Sequence, residues 1–114
     1  MSVKLSHRQV GGVTVIDAAG RITLGDGASA FRDTIRELAG NGHKKLLLNL
    51  AEVSYIDSSG IGELVSGFTT VTNLGGQVKL LNLTKRVKDL LQITKLYTVF
   101  EVFEDEAAAV RSFV

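Results

Sequence analysis

The chain contains no cysteine and no proline, and it is poor in aromatic residues, with five Phe and two Tyr in 114 positions. Without cysteine there is no disulfide framework, thiol nucleophile or zinc-thiolate site, a composition that fits a reducing compartment. Without proline, one common marker of a domain boundary is missing. The aromatic residues do not interleave with arginines as a base-stacking platform requires. The 13 basic and 12 acidic residues leave a formal charge of only +1. They are scattered, and the adjacent basic pairs Lys44–Lys45 and Lys85–Arg86 fall short of the concentrated basic face that binds a phosphate backbone. Direct binding to nucleic acid is not expected. Long apolar runs are lacking too: no stretch approaches the roughly 18 consecutive apolar residues of a membrane helix. Met1 to Val10 alternates apolar and polar residues where a secretory leader has an unbroken apolar segment. A cytoplasmic protein without membrane association is expected.

What is present is a 45% hydrophobic content, enough for one core, and no linker, repeat or low-complexity segment divides the chain. One domain over residues 1–114 is the expectation. Val3 to His7 and Val13 to Ala18 have strand character and are joined through Gly11 and Gly12, which accept positive φ at little cost, so they predict a hairpin. A loop from Arg21 to Gly27 follows. Ala28, Phe31, Ile35, Leu38 and Ala39 then recur at helical spacing before Gly40 to Gly42. Leu46 to Leu50, interrupted only by Asn49, predicts a strand covered on both faces at the sheet centre. After a turn region from Ala51 to Asp57, Ile61, Leu64, Val65, Phe68, Val71 and Thr72 define a second helix closed by Gly75 and Gly76. Gln77 to Leu83 predicts a strand, Thr84 an N-cap for a helix carrying Val87, Leu90 and Leu91, and Val99 to Phe103 a last strand. Glu104, Asp105 and Glu106 favour the start of a final helix running through Ala107, Val110 and Phe113. The order β-β-α-β-α-β-α-β-α describes an α/β fold, a mixed sheet of about four to five strands with about four helices packed on it.

The segment VSYIDSSGIGEL, Val53 to Leu64, puts Asp57, Ser58, Ser59 and Gly60 where a loop meets a helix. Helix starts leave outward-pointing N–H groups that Asp or Ser side chains satisfy, and the dipole there favours negative charge. On spacing alone, capping is the preferred account of Asp57 or Ser58. It accounts less well for Gly60 and Gly62, each costing about 1 kcal/mol relative to alanine inside a helix. Small residues let another surface approach. A phosphate on a serine here would bring roughly −1.5 to −2 charges, held by helix N–H groups but repelled by Asp57 or an acidic partner.

The stretch LNLAEVSYIDSSGIG, Leu48 to Gly62, followed by GGQVKLLNLTKRVKDLLQITKLYTVFEVF, resembles the STAS domain of anti-sigma factor antagonists, and the likeness extends over nearly the whole chain. The resemblance implies that Ser59 is the residue phosphorylated by an anti-sigma factor that is itself a serine kinase. It implies a partner-binding surface of Asp57, Ser58, Ser59, Gly60, Ile61 and Gly62. It also implies the cycle: the unphosphorylated chain binds the anti-sigma factor and frees a sigma factor, phosphorylation ends that binding, and a serine phosphatase resets it. The chain would then be a substrate rather than an enzyme, a signal-transduction component of bacterial transcription regulation. Thr23 departs from the pattern, since many family members have an aspartate there. Thr23, Leu24, Gly25 and Asp26 are expected beside Ser59, where they would contribute to docking, because loops at one end of such a sheet cluster.

His7 and His43 stand apart in sequence with no second His or Cys to complete a metal set, and both are expected on the surface. Gly60-Ile61-Gly62 lacks the third glycine of a dinucleotide fingerprint and there is no phosphate loop, so no cofactor is expected. Glu52, Asp57 and Glu63 read as solvated charge. Two other functions share the segment: a scaffold subunit of a stress-sensing multi-protein complex, and a small enzyme with Ser59 as nucleophile, for which neither histidine is nominated as a base.

Overall fold

The computed structural model describes residues 3–114; Met1 and Ser2, the first two positions of the alternating opening stretch, lie outside the described residues. Val3–Val10 (β1) and Val13–Ile22 (β2) pair antiparallel from Val3 opposite Gly20 to Val10 opposite Val13. Gly11 and Gly12 turn the chain with φ of 54° and 82°, positive at both central positions, as a two-residue hairpin loop matched to strand twist requires. The chain continues through Asp26–Gly40 (α1), Lys45–Ile56 (β3), Ser58–Asn73 (α2), Gln77–Leu81 (β4) and Lys85–Ile93 (α3). A short 3-10 turn at Leu96–Thr98, Val102–Phe103 (β5) and Glu106–Ser112 (α4) complete it. The sheet runs β1-β2-β3-β4-β5, antiparallel in its first pair and parallel in the other three. The expected order and mixed sheet are what the structure has, with β3 in the middle.

β3 explains how both faces are filled. Leu46, Leu48 and Leu50 enter one core with Phe31 and Ile35 of α1, Leu64 and Val71 of α2, and Val87 and Leu91 of α3. Leu47, between them, points to the other face and packs with Val13, Val15, Leu81, Ala109 and Phe113 under α4. Alternating side chains of one strand thus serve two cores.

Three expectations need correction. The turn from Ala51 to Asp57 is strand as far as Ile56. Two register shifts against β2, one between Asp17 and Ala19 and one between Gly20 and Arg21, break the period-2 pattern by which a strand is recognised. β2 in turn runs on to Ile22, where it still pairs with Ile56 of β3, and the loop of Arg21 to Gly27 shrinks to Thr23, Leu24 and Gly25, with Asp26 and Gly27 already in α1. The last strand is only Val102–Phe103, held by Leu80 and Asn82 amides donating to the Glu101 and Phe103 carbonyls, while residues from 96 to 98 form the 3-10 turn.

Candidate functional site

Parallel strands deliver their C-terminal ends to one edge of the sheet, and the loops that follow them gather there. β2 ends at Ile22 and β3 at Ile56, paired with each other, so the loop before α1 lies against the start of α2. Asp57 joins the two. One carboxylate oxygen accepts the Gly60 amide at 2.9 Å as the cap of α2, and the other accepts the Leu24 amide at 3.0 Å. The Asp57 amide donates to the Ile22 carbonyl. The Leu24 and Gly60 amides, in that order, hold the Asp57 carboxyl below the usual carboxylate range, because hydrogen bonds to the ionised form favour it.

With Asp57 as cap, Ser58 and Ser59 are the first two helical residues. Ser58 is exposed and Ser59 half-buried, and Gly62 lies exposed farther along the helix. Thr23 is half-buried and Asp26 exposed in the first turn of α1. Gly60 and Ile61 turn inward. A β-carbon on Gly60 would stand 2.3 Å from the Ile22 carbonyl oxygen and 2.6 Å from the Ile56 side chain, so the absence of a side chain lets α2 start directly on the strand ends. Ile61 belongs to the core. Of the residues grouped by sequence, the outward set is Ser58, Gly62 and Asp26, with Asp57, Ser59 and Thr23 partly covered.

A family model for the STAS domain matches residues 4–109. The chain belongs to the STAS domain family. The anti-sigma-B factor antagonist of Bacillus subtilis (strain 168) is 32% identical over 102 residues, covering 90% of this chain and 92% of that protein. The solved STAS-type folds include an anti-sigma factor antagonist from Mycobacterium paratuberculosis, with TM-score 0.84, 16% identity, and 98% and 94% of the two chains covered. The Bacillus cell fate determinant SpoIIAA in its phosphorylated form superposes with TM-score 0.74, 19% identity, and 95% and 97% covered. At these identities the structures establish the shared STAS fold.

Several residues at this end of the STAS fold escaped the sequence reading. A groove of about 500 Å³ runs from Asp57 and Ser58 to α3, lined also by Tyr55, Arg86, Leu90 and Ile93. The Arg86 guanidinium carbon lies 4.4 Å, and that of Arg21 5.0 Å, from the Tyr55 ring centre, within cation–π range. Ile93 protrudes, and its signal in the sequence is an apolar residue outside the buried stripe of Val87 and Leu91. Leu24, expected in the loop beside Ser59, protrudes as well.

Away from the site, His7 and His43 approach each other, with ring centroids 6.5 Å apart. His7 is exposed, but His43 is half-buried, with Nδ1 3.1 Å from Thr14 Oγ1, so only His7 is the surface residue expected. No group of three His, Cys, Asp or Glu that would hold a metal occurs among the described residues. No helix among them is long and apolar enough to cross a membrane. Glu63 is not merely solvated, lying 3.9 Å from Arg32 across α1 and α2.

Proposed function

We propose that this chain is an anti-sigma factor antagonist that works in the cytosol as a single domain, binding a serine-kinase anti-sigma factor while Ser59 is unphosphorylated. The observation that carries this reading is the Asp57-capped start of α2, with two hydroxyl residues in its first turn beside the loop of Thr23 to Asp26. Family membership and the 32% identity to an anti-sigma-B factor antagonist support the same reading.

The switch follows from charge. The kinase supplies a nucleoside triphosphate; the Ser59 hydroxyl oxygen bonds to the terminal phosphorus as the bridging P–O bond to the diphosphate breaks, and the hydroxyl proton passes to a base on the kinase. The phosphate brings roughly −1.5 to −2 charges at neutral pH. Asp57 is held ionised by two amides, so the new charge adds to one already fixed. The α2 amides tolerate that charge, but a partner fitted to the neutral serine faces new bulk and repulsion. Ser58, Gly62, Thr23 and Asp26 form the surrounding contact surface, with Gly60 and Ile61 supporting it from below, and a serine phosphatase restores the hydroxyl.

Affinity purification of tagged wild type, Ser59→Ala and Ser59→Asp chains from the source cytosol tests this. A kinase-bearing anti-sigma factor is expected with wild type and Ser59→Ala and not with Ser59→Asp. Identical partners for all three chains, with no phosphate on Ser59, would overturn it and leave Ser59 as a helix-start residue only.

A further inference from the structure

Leu24 and Ile93 are 79% and 77% exposed, whereas the other protruding large apolar side chains apart from Val114, namely Leu74, Tyr97 and Val99, are each less than half exposed. Leu24 is tied through its amide to Asp57, and Ile93 lines the groove that begins at Asp57 and Ser58. Single exposed apolar residues are ordinary, but two flanking one concave site mark an interface.

Of the three charged side chains that line the groove, Asp57, Asp89 and Arg86, Arg86 alone has no hydrogen-bond partner among the described residues. Both Asp57 oxygens already accept backbone amides, and Asp89 accepts the Lys85 ammonium at 2.9 Å. Arg86 and Arg21 form no ion pair among the described residues. Each rests on Tyr55, an arrangement that orients a guanidinium while leaving its fork of N–H donors open to a carboxylate. Beside them Leu90 and Ile93 form an apolar wall.

We infer that this groove is the second half of the docking surface, and that its occupant is a segment of the anti-sigma partner carrying a carboxylate next to an apolar side chain. The carboxylate meets Arg86, with the charge of Arg21 nearby, and the apolar side chain covers Leu90 and Ile93. The inference rests on the proposed switch at Ser59 and adds that α3 selects the partner by charge, since a basic segment is repelled by the same arginines.

Photo-crosslinking the full chain in source cytosol tests it, with benzoylphenylalanine replacing Leu24 in one sample and Ile93 in another. The expected result is the same anti-sigma factor at both positions, the Ile93 crosslink mapping to a partner stretch that contains Asp or Glu. Arg86→Glu, checked for folding by circular dichroism, should lower the Ile93 yield by about tenfold or more, and Arg86→Gln by less. A crosslink only from position 24 overturns the groove while leaving the switch standing. So does an Ile93 crosslink to a basic segment or to a second copy of this chain, or a yield indifferent to Arg86→Glu. Loss of the position 24 crosslink in Ser59→Asp supports the switch by itself, and crosslinks from neither position overturn both.

Discussion

Asp57 does two jobs with one carboxylate, closing the first turn of α2 and tying down the loop at Leu24. Asp57→Ala should therefore lower stability by about 1–2 kcal/mol in urea unfolding, at the upper part of the range for a lost N-cap, and increase amide exchange at Leu24. The glycines of the next turn make a sharper comparison. Gly62 faces open space, but a β-carbon on Gly60 meets the Ile22 carbonyl. Gly62→Ala should raise stability by up to about 1 kcal/mol through helix propensity, and Gly60→Ala should lower it by about 1–3 kcal/mol through overpacking. The cap at Asp57 was legible because its partner lies three residues ahead. The role of Gly60 was not, because the atom it makes room for, the Ile22 carbonyl oxygen, lies on β2, far away in sequence.

At the level of elements, α4 covers the second sheet face and is tied at both ends. Near its start Arg8 bridges Glu106 at 2.6 Å and Asp17 at 2.7 Å. At its end the Lys79 ammonium, on a side chain only 5% exposed, donates to the Ser112 carbonyl and hydroxyl at 2.9 Å and lies 3.2 Å from Glu101. The two ties differ in weight, because the solvent that screens Arg8 is excluded from Lys79. Arg8→Ala should cost less than about 1 kcal/mol, and Lys79→Ala about 1–2 kcal/mol by stripping the half-buried Ser112 acceptors of their donor; hydrogen exchange across residues 106–112 should rise more in the second. The helices were readable from their apolar stripes. The outer half of β3 was not, since its register shifts carry side chains out of alternation, and neither was the shortness of β5, whose pairing partner β4 decides its length.

For the whole molecule, acid is the informative perturbant. Arg8 holds Asp17 and Glu106 below the ordinary carboxylate range, and the Leu24 and Gly60 amides do so for Asp57. Groups lowered in the folded state contribute stability that is complete above their unfolded values and is lost as pH falls through the folded ones. The urea midpoint should therefore stay level from neutral pH to about pH 5 and fall steadily below about pH 4, where unfolded carboxylates begin to bind protons that the folded ones refuse. Arg8→Ala should flatten part of that fall. Overall layout was legible because the chain alternates clear stripes with clear turns; the groove was not, because Tyr55, Arg86 and Ile93 become neighbours only once α3 is laid beside β3.

The strands stand in the sheet in the order in which they occur along the chain. Each new strand is added beside one that already exists, so the molecule can assemble as it leaves the ribosome, from its amino-terminal side onward. When the chain has emerged through Asn73, β1 to β3 and the two helices over them are complete, and so is the Ser59 turn. The Arg86 half of the groove still waits for α3, so a nascent chain that follows this order presents its Ser59 turn before the groove beside it exists.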